Sequence, residues 1–410
     1  MKILLVLPRP LFPPDAGGKI RTLRIFEQLA KRVEIHAVSL LAANEEGAVA
    51  PMQQLFATYT PVRWQETAKF SPAFYLEFLG SRFGTLPYFL AKYARPELRA
   101  AVAQLWSQQK FDLLLCDFLQ TAVALQDLPI RPRVIFEHNV EYVIRKRHWE
   151  KETHPVKKWL LNAEWRKARD AEAQVCRTFD HVIAVSEDDQ YLFEKDFNVR
   201  NVTALPTGVD VDFFSPTSAN GTQRKPGNLV FVGSMDWYPN EEGADWFLKE
   251  VYPLIRSRAA NASVTLVGRN PSERLRALAA SDPSVEITGT VPDVRPYLAR
   301  AEAVIVPLRI GGGTRIKIFE AMAMERALIS TTLGAEGLPV ASGEDCILAD
   351  EPAQFAHAVV TVLTDSEQRN RLARAARAKV VSRYTWDKVA GEMHGILQRA
   401  TTSSPALRAH

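Results

Sequence analysis

The sequence predicts an α/β protein built from two parallel-sheet domains, and three observations carry that prediction. Apolar runs of strand length recur along the chain and alternate with stretches of helical spacing, the pattern of parallel strands joined by crossover helices. The pattern lapses once, in a polar tract, and then restarts. Glycine-containing loops follow several of the apolar runs, at the carboxyl ends of strands where such sheets bind ligands. The 410 residues exceed one ordinary core and suit two domains.

Composition narrows the function. Apolar and charged fractions of 47% and 24% are those of a globular protein. A net charge of +4 is too small to argue for nucleic acid. Cys116, Cys176 and Cys346 are scattered and make neither a zinc spacing nor a disulfide framework, so a reducing cytosol is expected. Met1–Leu7 is largely apolar, but Pro8, Arg9 and Pro10 cut the run too early for a signal sequence. No stretch approaches the ~20 apolar residues of a membrane span. Any membrane contact is therefore expected to be peripheral.

In the first half, Lys2–Leu7 reads as a buried strand. The loop Pro8–Gly18 follows, then an amphipathic helix beginning near Ile20 and a second strand, Val33–Leu41. The fingerprint G-x-G-x-x-G is absent, which counts against a nicotinamide enzyme. Gly17-Gly18 suits either a plain turn or a ligand-facing loop. From Pro51 to Gln109 the chain is rich in aromatics, among them Phe74, Tyr75, Phe78, Phe83 and Tyr88. They are expected to pack helices onto the first sheet; the alternative is an exposed face for an apolar acceptor or a membrane surface. Phe111–Asp117 and Val134–Glu137 read as further strands. The second runs into Glu137-His138-Asn139-Val140-Glu141, which places His138 either to meet substrate or to bond local backbone. A cationic helical segment, Tyr142–Arg177, is interleaved with Trp149, Trp159 and Trp165. A solvated face is the expectation there, and docking on anionic lipid or a phosphate-bearing acceptor is the alternative. After the strand His181–Ser186, the acids Glu187, Asp188 and Asp189 are expected to open a helix capped by Ser186 rather than to bind metal.

Pro, Gly, Ser and Asn cluster at Leu205–Asp210 and Ser215–Asn228, marking a boundary. Strands then read at Leu229–Val232, Ser263–Val267, Val285–Thr288, Ala303–Leu308 and Ala327–Ser330. Helices are expected through Trp246, Phe247 and Val251, around Val294–Ala299, and from Trp386 to about Arg399. The tail Thr401–His410 lacks apolar periodicity and is expected to fray. The resulting division is 1–207, a Rossmann-like acceptor-side domain; 208–384, a Rossmann-like nucleotide-binding domain; and 385–410, a terminal helix with its tail.

The most informative stretch is Ile310–Ala323, IGGGTRIKIFEAMA. Gly311, Gly312 and Gly313 let backbone approach a ligand. Thr314 is the expected N-cap, which leaves the first-turn N–H groups facing the loop. That helix end, with Arg315 and Lys317, suits a phosphate. Glu320 lies roughly 9 Å further along the axis, where it can accept hydrogen bonds from a ribose. A Gly-rich turn into a core helix with solvated charges is the plainer alternative. Two nucleotide-fold halves imply a cleft between them, with nucleotide on the second half and acceptor on the first.

With these motifs assembled, the chain resembles the GT-B-fold glycosyltransferases of family 4, retaining enzymes that use nucleotide-activated sugars. The resemblance rests on Gly17-Gly18, Glu137–Glu141, Val185–Glu187, Pro206–Asp210, Val232–Asn240, the GGGTRIKIFEAMA segment and Gly334–Leu338. Its closest flavour is that of exopolysaccharide sugar transferases. It implies that Arg315 and Lys317 neutralise the departing diphosphate, that Glu320 binds ribose, that His138 contacts the transferred sugar near the reacting carbon, and that the terminal helix returns to the first domain. Gly17, Gly18, Gly233, Ser234, Gly311, Gly312, Gly313, Thr314 and Glu336 would contribute to donor binding. No cofactor and no metal are implied; the donor is a substrate. The implied partners are a nucleotide-sugar and a glycan or lipid-linked acceptor, not nucleic acid. The implied location is the cytoplasm, extending to peripheral contact with the inner face of the plasma membrane. Two departures stand out. Gly312 occupies the place of a first glutamate seven residues before Glu320, and the loop after Val232 offers Ser234, Trp237 and Asn240 instead of Arg and Lys. The alternatives are a sugar-nucleotide epimerase of the same fold and an inactive nucleotide-sugar-binding scaffold.

Overall fold

A computed structural model describes residues 1–68, 71–219, 221–310 and 315–403. The chain forms two compact units. Met1–Pro206 joins the C-terminal segment from Asp387, and Thr207–Trp386 makes the other.

The first unit holds a seven-stranded parallel sheet. Its strands are β1 (Lys2–Leu7), β2 (Glu34–Leu41), β3 (Thr58–Arg63), β4 (Leu113–Asp117), β5 (Arg133–Phe136), β6 (His181–Ala184) and β7 (Val202–Ala204). The order is β3-β2-β1-β4-β5-β6-β7, and every pairing is parallel. β1, β2 and β4 are buried almost throughout, so they read in the sequence as continuous apolar runs. The chain order reverses between β1 and β4, the switch point where an open α/β sheet takes its ligand.

Some helices differ from expectation. The first runs over Gly17–Leu29, starting three residues before Ile20, so Gly17 and Gly18 form its first turn rather than a loop. Gly18 lies against the Phe118 ring, where a Cβ would come within 2.6 Å of it. The cationic segment is two helices, Glu141–Lys151 and Pro155–Thr178, with Pro155 at the start of the second. Ser186 caps the helix Glu187–Phe197 as expected, accepting from the Asp189 N–H at 3.1 Å. The aromatic stretch departs most. Phe74 and Phe78 of the helix Pro72–Phe83 pack inward on Tyr88, but Tyr75 and Phe83 face solvent, so core packing holds for only part of it.

The second unit holds a six-stranded parallel sheet of β8 (Asn228–Val232), β9 (Ser263–Val267), β10 (Val285–Ile287), β11 (Ala303–Val306), β12 (Ala327–Ser330) and β13 (Ile347–Leu348). The order is β10-β9-β8-β11-β12-β13, with its own reversal between β8 and β11. Where the chain enters this unit, Val209 N–H donates to the Tyr384 carbonyl at 2.8 Å, beside the point where it leaves. The terminal helix, Trp386–Ser403, buries Val389, Met393 and Leu397. Arg32 of the first unit pairs with Asp387 at 2.8 Å.

Candidate active site

Each switch point carries a cluster of polar side chains. In the first unit β4 ends on Asp117 and β5 leads into Glu137 and His138, while the helix Gly17–Leu29 turns Arg21 and Thr22 towards them. His138 Nε2 lies 2.8 Å from Asp117 Oδ1, and Arg21 Nη1 lies 3.2 Å from His138 Nδ1. A guanidinium only donates, so Nδ1 must be the acceptor and the imidazole proton sits on Nε2, directed at Asp117. Thr22 Oγ1 is 3.2 Å from both Asp117 oxygens. Phe118 stacks on the imidazole at 3.9 Å, and the Arg21 guanidinium lies 4.4 Å above Phe136. Burial lowers the His138 pKa even though Asp117 opposes the shift, so the ring is neutral. Burial also brings Arg21 down to about 9.

The His138 side chain is therefore closed inside a network, with both nitrogens engaged and no solvent exposure. This arrangement rigidifies the two strand ends. Behind them, Glu172 of the helix Pro155–Thr178 accepts from the Glu141 and Tyr142 N–H groups at 2.8 and 2.9 Å, capping the helix Glu141–Lys151. Burial raises Glu172 to about 8 and holds Glu137 well above the usual carboxylate range.

In the second unit the cluster gathers at the end of β8 and the start of the helix Ile316–Ala323. Gly311, Gly312, Gly313 and Thr314 lie outside the described residues. The N-cap is Arg315 rather than Thr314, in left-handed backbone with φ of 45°. Its guanidinium donates to the Leu333 carbonyl at 3.1 Å, which ties the helix start to the turn just before Glu336. Lys317 reaches back across Gly233. Its Nζ donates to Asn240 Oδ1 at 2.8 Å and sits 4.8 Å above the Phe231 ring. A Cβ on residue 233 would lie 2.8 Å from that Nζ, so glycine is what admits the lysine. Asn240 is itself oriented by donating to the Ser234 carbonyl at 2.8 Å. The Ser234 hydroxyl donates to Asp236 and accepts from Arg269 Nε, each at 2.6 Å.

Electrostatics distinguish Lys317 and Glu320. Burial pushes Lys317 down to about 7, the Arg315 charge adds to the fall, and Glu320 opposes it. Burial raises Glu320 to about 7 against the pull of Lys317. Both are half-buried, one turn apart on a helix, and both are poised to change protonation near neutrality. A cation held beside a helix N-terminus and an acid one turn further on can meet an anion and a hydroxyl-bearing group respectively.

Sequence reasoning missed Arg21, Thr22 and Asp117. The available signal was an acid closing an otherwise apolar strand, since buried Asp is rare without a partner. It also missed that Gly233 serves Lys317, a pairing across 84 positions that no local pattern carries. Among the described residues no group of His, Cys, Asp and Glu could hold a metal ion.

Residues 16–213 match the family described as Glycosyltransferase Family 4, and residues 226–365 match Glycosyl transferases group 1. A Klebsiella pneumoniae protein, described as an uncharacterized 44.6 kDa protein in the cps region, is 23% identical over 95% of this chain and 97% of its own. Sucrose-phosphate synthase from Thermosynechococcus elongatus superposes with a TM-score of 0.71 at 15% identity, covering 98% of this chain and 100% of that one. HepE of Anabaena, solved with UDP and glucose, has a TM-score of 0.66 at 15% identity, covering 97% and 99%. The structural likenesses establish the fold. The first match lies almost wholly on the first unit and the second lies within the second unit, and the chain belongs to the family 4-type glycosyltransferases of the GT-B fold.

Proposed function

We propose that the protein moves a hexose from a nucleoside diphosphate sugar to a bacterial cell-surface glycan or its lipid-linked precursor, with retention and without a metal. The observation that carries this is the Lys317 ammonium held over Gly233 by Asn240, at a strand end and beside a helix start. Arg315, and Lys317 once the bound diphosphate has drawn it into its ammonium form, supply positive charge where the departing diphosphate gains negative charge, which is the work a metal does elsewhere. Glu320 accepts hydrogen bonds from the ribose. In a front-face displacement the bond from the anomeric carbon to the diphosphate oxygen breaks and the acceptor oxygen bonds to the same face. The acceptor's proton passes to the departing phosphate oxygen. The His138 network fixes the strand end nearest the acceptor side, consistent with a role for that loop in holding the transferred sugar. The cps-region description of the Klebsiella relative supports a surface polysaccharide as the product, and the UDP and glucose bound to HepE support a nucleotide-sugar donor. The expected location is the cytoplasm and the inner face of the plasma membrane; no helix among the described residues is long and apolar enough to cross one.

The test is a donor panel incubated with bacterial lipid extract, with release of nucleoside diphosphate as the readout and the anomeric configuration of the product read by NMR. Turnover should persist in a strong chelator and collapse in Lys317→Ala and Glu320→Ala. Undiminished nucleoside diphosphate affinity in both variants would sink the assignment of those two residues.

A further inference from the structure

The helix Pro72–Phe83 wears its apolar side outward. It carries two charged residues, Glu77 and Arg82, and neither lies on the outer face. Glu77 turns inward, accepting from Thr67 Oγ1 at 2.8 Å and lying 3.6 Å from Arg95. Leu76, Leu79 and Phe83, spaced three and four apart, share the outer face and are 71%, 56% and 93% exposed. The Arg82 guanidinium lies 5.1 Å above Trp159, and Lys167 donates to the Ser81 and Arg82 carbonyls at 2.8 and 2.9 Å. Those contacts fasten the end of this helix to the helix Pro155–Thr178, whose first turns expose Val156 and Trp159. Six of the twelve large exposed apolar side chains among the described residues belong to these two helices. The Arg82–Trp159 stack brings the exposed start of one helix beside the end of the other, so these apolar residues are concentrated on two neighbouring helices, whereas single exposed apolar residues elsewhere are ordinary.

The charge around that surface selects its occupant. Lys157 and Lys158 immediately precede Trp159 in the chain, and the Arg82 guanidinium lies 5.1 Å above its ring. Of the neighbouring carboxylates, Glu77 and Glu164 are engaged with Arg95 and Arg82 on the underside, and Glu152, near Lys157, accepts from the His154 N–H at 2.8 Å. Leu, Phe, Trp and Tyr bordered by cations match an anionic bilayer, whose acyl boundary takes the apolar groups and whose phosphates meet the lysines. We propose that the helix Pro72–Phe83, with the start of the helix Pro155–Thr178, docks on the surface of an anionic lipid bilayer. The proposal deepens the reading of a lipid-linked or envelope acceptor, and it gives the first unit the task of holding the enzyme where that acceptor lies.

The experiment is co-sedimentation of the full chain with phosphatidylcholine vesicles, with and without phosphatidylglycerol, at physiological ionic strength. The wild type should pellet with the anionic vesicles. Leu76→Ser, Leu79→Ser and Phe83→Ser combined should lower the partition coefficient at least about tenfold while leaving thermal unfolding unchanged, because all three side chains are already in water. Lys157→Glu with Lys158→Glu should weaken binding to anionic vesicles only, and added salt should erase that difference. A wild type that stays in the supernatant, or a triple variant that binds as well, overturns the proposal. So does a wild-type dimer that becomes a monomer in the triple variant without vesicle binding in either, which would make the face a self-interface. Nucleoside diphosphate affinity, measured on the same samples, separates this question from the donor site. Vesicle binding without nucleotide binding would leave the docking face standing and the donor reading refuted.

Discussion

Raising the pH through neutrality tests whether Lys317 grips the donor's diphosphate. With burial holding the free lysine at about 7, roughly nine-tenths of it is neutral at about pH 8. A diphosphate within hydrogen-bond reach favours the ammonium. Binding is then expected to draw in about 0.9 proton at about pH 8 and about half a proton at about pH 7. Titration calorimetry in buffers of different ionisation enthalpy reads that number from the slope of observed heat against buffer heat. The same linkage should weaken binding about tenfold for each pH unit above about 7, until the pKa of the complex is reached. Lys317→Met keeps the length and removes the charge, so it should abolish both the uptake and its pH dependence. Glu320→Gln removes the neighbour that favours the ammonium, so uptake near neutral pH should rise from about one half towards one. Wild-type uptake near zero at about pH 8, where Glu320 with its pKa of about 7 is already mostly ionised and has little proton to release, or uptake unchanged in Lys317→Met, would refute the placement of this lysine on the diphosphate.

Three further outcomes are expected. Gly233→Ala puts a methyl 2.8 Å from Lys317 Nζ and from Asn240 Cγ; overpacking of this kind costs about 1–3 kcal/mol, so nucleotide affinity in calorimetry should drop by about tenfold or more. Asp117→Ala strips His138 and Thr22 of their buried acceptor and leaves Arg21 without its nearest opposing charge; denaturant unfolding should show a loss of about 3–5 kcal/mol, and Asp117→Asn a smaller one. The Glu172 pKa is raised on folding to about 8, so its contribution to stability is greatest below the ordinary carboxylate value and is lost as pH rises through about 8. Glu172→Gln should therefore flatten the decline in melting temperature over that window, and an unchanged decline would assign it to other groups.

The central strands were legible because they are buried on both faces. β1, β9 and β12 keep their expected bounds, and β8 and β11 shift only at the ends. β3, β7 and β13 went unseen; they are three of the four edge strands, each paired on one side only, and the fourth, β10, was legible as Val285–Thr288. β3 even contains Pro61, tolerable at an edge because no second neighbour needs its N–H. The outward face of the helix Pro72–Phe83 was illegible for a different reason. Aromatics at helical spacing say that a face is apolar, but not whether protein or something else covers it. Lys317 and Glu320 could be picked out because charges at the head of an apolar helix are conspicuous. Asn240, the partner of Lys317, could be seen only as a polar residue in another loop.

Backbone strain shows the part of the site that no sequence pattern announces. Among the described residues, Phe118, Asn198, Asn270, Arg315 and Glu325 are the non-glycine residues with positive φ. Asn198 ends a helix, where left-handed backbone is common. Phe118, Asn270 and Arg315 instead sit in the loops at the carboxyl ends of β4 and β9 and in the loop after β11. Phe118 combines φ of 66° with ψ of 153°, a region that side-chain-bearing residues avoid. What holds it is the stack on His138 and the bond from its N–H to the Phe136 carbonyl at 2.9 Å. Arg315 is held by Leu333 in the same way. Such conformations cost of order 1–3 kcal/mol each and persist only where the surroundings dictate them. Two of them lie beside the polar clusters at the two chain reversals. The closed His138 network therefore has a function even with its imidazole turned inward: it keeps a strained loop in place at the strand end, and relaxing it through Asp117 should disturb turnover before it disturbs nucleotide binding.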